Sequence, residues 1–195
     1  MFVISLFESY LAFHYIRIPL DDLIKYYANI IPIWYCFITF LYAPVIEEIA
    51  KILPILVFPV YKNNITKENI VLYGSVIGLG FGIGEMFLIS SFIVKDIAFI
   101  GYKWYHFYGY IYERIISCFC HQIFTIVALS GIEKCDIKYL LYAMVLHAIL
   151  NIPAFLYQGG FINANSNFVQ YFLLCYPLIF VVAIVATFFY VKKGK

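Results

Sequence analysis

Apolar residues come in long blocks along this chain, and the charged residues collect in the short stretches between them. A bilayer core takes about 20 consecutive apolar residues per crossing helix. On that measure the blocks predict about seven membrane helices, over roughly 1–18, 23–43, 45–61, 68–92, 111–131, 138–158 and 167–191. The first is short for a crossing and carries Glu8 and His14. Ala43-Pro44 predicts a tight turn, with Pro44 in the first turn of the third helix, where a missing N–H costs nothing. Between the fourth and fifth helices lies one sizeable loop, 93–110, whose Tyr and Trp residues predict that it rests at the membrane surface. The fold class expected is therefore all-α, a polytopic membrane helix bundle forming a single domain over 1–195.

Composition sharpens this picture. Of the 195 residues, 65% are hydrophobic and only 12% charged, against about a quarter charged in a soluble domain. A water-covered globule and a disulfide-stapled secreted domain are both excluded. The formal net charge of +2 leaves no basic footprint, so no nucleic-acid partner is expected. Five cysteines, four of them in apolar runs, read as small buried hydrophobes, and Cys118-x-Cys120 lacks the two-residue gap of a metal or redox pair. MFVISLF has no basic start and no small-residue cleavage site, so it reads as a retained helix.

Orientation follows from Lys and Arg. With the N-terminus outside, nine fall on inner segments (Arg17, Lys25, Lys62, Lys67, Lys134, Lys138, Lys192, Lys193 and Lys195) and two, Lys95 and Lys103, on outer ones, with Arg114 and Lys51 just inside the outer helix ends. Cytoplasmic loops carry the excess of positive charge. The expectation is a multi-pass protein of the cell membrane, N-out and C-in.

Several side chains stand where lipid should exclude them. An ionisable residue at the centre of a membrane helix costs about 2.5–3.5 kcal/mol on the insertion scale. The third predicted helix carries Glu47, Glu48 and Lys51, the fourth Glu85, the fifth His121 and Thr125, the sixth His147 and Asn151. His121 and Thr125 are four apart, as are His147 and Asn151, so each pair shares a helix face. Lys51 is within reach of either glutamate. Glu47 and Glu48 diverge by about 100°, so one is expected to face a reactive centre while the other holds Lys51. All lie at matching depth, in the outer half of the bilayer on the assigned topology. Gly74, Gly78 and Gly82, with Gly80 and Gly84 offset, form a small-residue stripe for close helix contact.

A carboxylate beside a histidine activates water, and a His–Asn pair donates to a developing oxyanion. The chain has neither H-E-x-x-H nor G-x-S-x-G. Glu47-Glu48-Ile49-Ala50-Lys51, Gly78 to Glu85 in G-x-G-F-x-x-x-E, His121 to Thr125 and His147 to Asn151, in that order on successive helices, resemble the PrsW family. That family belongs with the CAAX-processing and Abi proteases among the glutamic intramembrane endopeptidases. The resemblance spans about residues 40–155. It implies cleavage of a single-span membrane protein or membrane-anchored peptide near the outer face. It also implies Glu47 as base with Glu48 beside it, and His147 with Asn151 on the oxyanion side. Where CAAX relatives carry F-x-x-x-H, this chain has Phe81 to Glu85, and His121 is placed to supply the imidazole.

On this reading no cofactor is expected. The alternatives are a metal-dependent membrane hydrolase, with zinc held through Glu47, Glu85, His121 and His147, a proton-coupled transporter, and a non-catalytic scaffold.

Overall fold

The computed structural model describes residues 1–27, 33–158, 161, 171–172, 175–182 and 184–185. Every regular element among them is helical. α1 (Phe2–Leu11), a π-helical turn (Ala12–Arg17) and α2 (Ile18–Tyr27) form one continuous helix. Then come α3 (Ile33–Val57), the short α4 (Pro59–Lys62) and α5 (Ile70–Ile93). Two 3-10 turns, Ile97–Phe99 and Trp104–Phe107, lead into α6 (Tyr108–Lys134), α7 (Lys138–Leu150) and α8 (Ile152–Gln158).

The turn expected at Ala43-Pro44 is not formed: α3 runs straight through Pro44 and Pro54. Each proline removes one N–H from the ladder. In apolar surroundings, breaking the helix would strand many more backbone groups than that single bond. Two predicted crossings thus become one. The described residues do not make seven crossings, and the N-out expectation, which rested on that count, loses its parity. Among the described residues, Ile70–Ile93 and Tyr105–Lys134 are long and apolar enough to cross a membrane by length and composition. Most of the seventh predicted helix, 167–191, lies outside the described residues.

The sixth predicted helix is interrupted at Asn151. Pro153 cannot donate to the carbonyl of Ile149, and the Tyr176 hydroxyl donates to that oxygen instead, at 2.7 Å. Between α6 and α7 the chain reverses over three residues, with Cys135 in the left-handed region (φ 53°) and Asp136 Oδ1 accepting from the N–H of Lys138 at 3.0 Å. Cys135 is exposed in that turn, and Cys175 is exposed as well, whereas Cys118 and Cys120 are buried. The expectation of uniformly buried cysteines therefore holds for that central pair, while the side chain of Cys36 lies outside the described residues.

Glycines on opposite faces of α5 bring it against two neighbours. A Cβ on Gly74, Gly78 or Gly82 would meet Ile126, Gln122 with His121, or Cys118, all on antiparallel α6. A Cβ on Gly80 or Gly84 would meet Phe2 with Ser5, or Ser9 with Leu6, on α1. Ser5 and Ser9 are buried there, and Ser5 Oγ donates to the Ile77 carbonyl at 2.7 Å. The apolar core includes Ile52, Ile55, Ile77, Phe124, Leu129 and Ala143, toward 58–69 and 135–137, and also Ile116 and Cys120 on the other side of His121 in α6. The polar side chains of α3, α5, α6 and α7 lie above it, toward the 94–107 loop.

The glycine packing makes a prediction. At Gly78 the obstructing atoms are backbone, Gln122 Cα and N and His121 O, which no rotamer change relieves. Gly78→Ala should cost about 1–3 kcal/mol, the range for overpacking, read as a lower melting temperature in detergent. Gly109→Ala, with nothing within 4 Å of the new Cβ, should melt at or slightly above the parent because alanine favours the helix.

Candidate functional site

Six of the predicted site side chains meet at one place. On α3 the spacing of Glu47, Glu48 and Lys51 turns all three inward, each at most 2% exposed. Lys51 Nζ donates to Glu48 Oε1 at 2.5 Å and to His121 Nδ1 at 2.8 Å, and lies over the Phe81 ring 5.0 Å from its centroid. An ammonium has no lone pair, so His121 Nδ1 must accept. The His121 proton is then on Nε2, which donates to Glu85 Oε2 at 3.0 Å.

His147 lies between the adjacent glutamates, one ring nitrogen toward each. Its Nδ1 is 2.7 Å from Glu48 Oε1 and its Nε2 is 3.6 Å from Glu47 Oε2. Glu48, ion-paired with Lys51, only accepts, so Nδ1 carries a proton, and in the neutral form of the ring Nε2 is bare. Among the described residues, Glu47 Oε2 is buried with no hydrogen-bond partner. Two electron-rich atoms thus face one another in a dry interior. Such a pair is repulsive unless a cation, either a metal ion or a proton, stands between them.

Each carboxylate has its own cation. Arg17 Nη1 reaches Glu47 Oε1 at 2.6 Å, Lys51 serves Glu48, and Arg114 Nη1 lies 3.2 Å from Glu85 Oε2. Arg114 also forms a fork with its neighbour Glu113, the more exposed member of that pair. A buried carboxylate without a counter-charge costs several kcal/mol, so this pairing is what permits three glutamates in one interior site. The aromatic rings close the rest: Phe124 stacks on His147 at 5.2 Å and 22°, and Phe81 lies 5.6 Å from His121. Phe180 packs against Phe124 in turn, and Tyr176 stacks on Phe180.

The two arginines were read from the sequence only as topological charges. Arg114 precedes His121 by seven residues, two turns on the same face of α6, and that spacing could have placed it. Nothing local links Arg17 to Glu47, thirty positions away; the only hint was three carboxylates against a single intramembrane lysine. Thr125 bonds back to the His121 carbonyl at 2.7 Å, a role within its own helix. Asn151 stands one turn beyond His147 at the C-cap of α7, and among the described residues its side chain makes no hydrogen bond to the other six.

The residues present fit a divalent metal ion. Glu47, His121 and His147 each offer one ligand atom, all within 4.8 Å of one another and all buried. Zn–N and Zn–O bonds of about 2.0–2.1 Å at tetrahedral angles separate ligand atoms by about 3.3–3.4 Å, close to the Glu47–His147 gap. Glu48 on His147 Nδ1 is the carboxylate–histidine arrangement that orients a metal-binding imidazole.

Residues 101–173 match the model of a family described as YhfC intramembrane metalloprotease. The stretch holds His121, His147 and Asn151, while Glu47, Glu48, Lys51 and Glu85 precede it. No curated protein and no solved structure matches the chain. The likeness is to an intramembrane protease family; it gives no support to the PrsW branch suggested by the motifs, nor to the expectation that no cofactor is needed.

The Lys51 network predicts a stability effect. Lys51→Met leaves Glu48 without its cation and His121 Nδ1 without its donor. Breaking a buried pair in this way costs about 3–5 kcal/mol, measurable as a lower melting temperature of the purified protein.

Proposed function

We propose that this chain is a metal-dependent intramembrane endopeptidase that cleaves single-span or membrane-anchored substrates. The observation that carries this reading is the bare Glu47 Oε2 facing His147 Nε2 at 3.6 Å. The YhfC likeness over α6 and α7 supports it.

Glu47, His147 and His121 would hold a divalent ion, which supplies Lewis-acid activation of water and of the scissile carbonyl. Glu47 and His147 have open donor atoms. His121 is engaged at both nitrogens, so ligation through Nε2 as a neutral imidazole would need its proton on Nδ1, which ends the donation from Lys51 and frees Glu85 from its hydrogen bond. Glu85 is then the carboxylate left for proton transfer, since Glu47 and Glu48 are committed to ligation and to orienting His147. It takes the proton of the attacking water and delivers it to the leaving amine, and Arg114 holds it in place. Asn151, on the His147 face of α7, is assigned the oxyanion.

The second reading follows from the same gap. If a proton rather than a metal ion bridges Glu47 and His147, the site works as a glutamic peptidase with Glu47 as base. Chelation separates the two. The full chain in detergent, given a single-span substrate, should lose cleavage on chelation and regain it with zinc. A parent rate untouched by chelator, with no metal in the purified protein, would establish the glutamic reading instead. Glu85→Gln should lower the rate about 10²–10⁴-fold, the worth of general-base catalysis, with metal content unchanged.

Lys62, Lys67, Lys134 and Lys138 flank one end of the described bundle and Lys95 and Lys103 the other. By the positive-inside rule this distribution supports a cytoplasmic first end, with the site in the outer half of the cell membrane. A cysteine placed at Lys103 should react with an impermeant reagent in intact cells and one at Asn64 should be protected; the reverse pattern overturns the orientation.

A further inference from the structure

The continuous helix of residues 2–27 changes pitch just before it reaches the site. Up to Ala12 it is buried along one face, through Ser5, Ser9 and Ala12, against Gly80 and Gly84 of α5. In an uninterrupted α-helix that face continues at position 16. The π-helical turn Ala12–Arg17 contains one residue more than an α turn would, which delays the register by one. Ile16 is accordingly 50% exposed, and Arg17 takes the inward position. Its guanidinium lies over the ring of Phe13, itself buried, at 4.6 Å, and its Nη1 reaches Glu47 Oε1 at 2.6 Å.

A carboxylate turns about its last side-chain torsion in a broad two-fold well. Held at one oxygen, it presents the other in a fixed direction. Glu47 is held at Oε1 by Arg17, and its partnerless Oε2 is the atom opposite His147 Nε2. His147 is fixed in the same manner, by Glu48 on the ring nitrogen away from the gap, and His121 is held at both nitrogens, by Lys51 and Glu85. Arg17 completes the set from a helix far from the others in sequence.

We propose that Arg17 is a positioning residue, delivered by the π-helical turn, whose grip on Glu47 Oε1 presents Oε2 to the divalent cation. The inference rests on the reading of Glu47 and His147 as metal ligands. It assigns a part in the site to the first helix, which lies outside both the motif-bearing stretch and the family match.

The test is zinc affinity, measured on the full chain in detergent by competition with a chromophoric chelator, alongside cleavage. Outer-shell partners of this kind are worth about 10–100-fold in metal affinity. Arg17→Gln should weaken zinc binding by that factor, and Arg17→Lys, which keeps a cation but loses the guanidinium, should recover part of it. The double exchange Ile16→Arg with Arg17→Ile preserves composition and charge but moves the guanidinium to the exposed face; it should bind zinc as weakly as Arg17→Gln. His14→Ala, an exposed change in the same turn, should bind as the parent does. If Arg17→Gln fails to fold, the double exchange and Arg17→Lys carry the test. Zinc binding at the parent affinity in the folded Arg17 variants overturns the inference alone. A parent that binds no zinc overturns the metal reading itself, and this inference with it.

Discussion

A buried ammonium must place its protons on acceptors, and Lys51 finds them on three helices. Glu48 lies one turn back on α3, His121 is on α6, and the face of Phe81 is on α5. That contact set fixes which His121 nitrogen bears hydrogen, which carboxylate stays ionised, and through Glu48 which nitrogen of His147 is bare. The hydrogen-bond directions at Glu48 and His121 thus follow from one side chain that can only donate. The cost of burying it is offset because every group it touches needs a donor or a positive charge.

The site combines two demands that usually conflict. Lipid requires that charges be paired, while a binding site requires that some atom be left without a partner. Here each carboxylate is satisfied at one oxygen by its own cation, and in Glu47 and Glu48 the second oxygen is left over. The cations neutralise the cluster without filling it. Electrostatic balance and an open coordination position therefore coexist within a few ångströms.

Much of this was legible in the sequence, for reasons that can be named. Charged residues inside apolar blocks are costly, so their presence marked Glu47, Glu48, Lys51, Glu85, His121 and His147, and helical spacing placed them on shared faces. The glycine stripe was equally readable, although its two faces proved to meet two different helices, α6 and α1. What the sequence concealed were features set by context. Pro44 reads as a helix start, yet stays inside α3 because lipid offers no other partner for the backbone. Arg17 reads as a loop charge because the register change at Ala12–Arg17 has no compositional mark. The choice between proton and metal in the Glu47–His147 gap depends on a distance, which no pattern of residues encodes.

The hydroxyl of Tyr176 bears on where this protein can be cut. Tyr176 supplies the donor that Pro153 withholds from Ile149, and its ring leads through Phe180 and Phe124 to the face of His147. The stretch that resembles a known family ends at residue 173, short of both aromatic residues. A shortened version drawn to that boundary would keep every candidate ligand and lose the buttress behind one of them. A piece that keeps this stack of rings extends at least through Phe180, beyond the span of recognisable sequence.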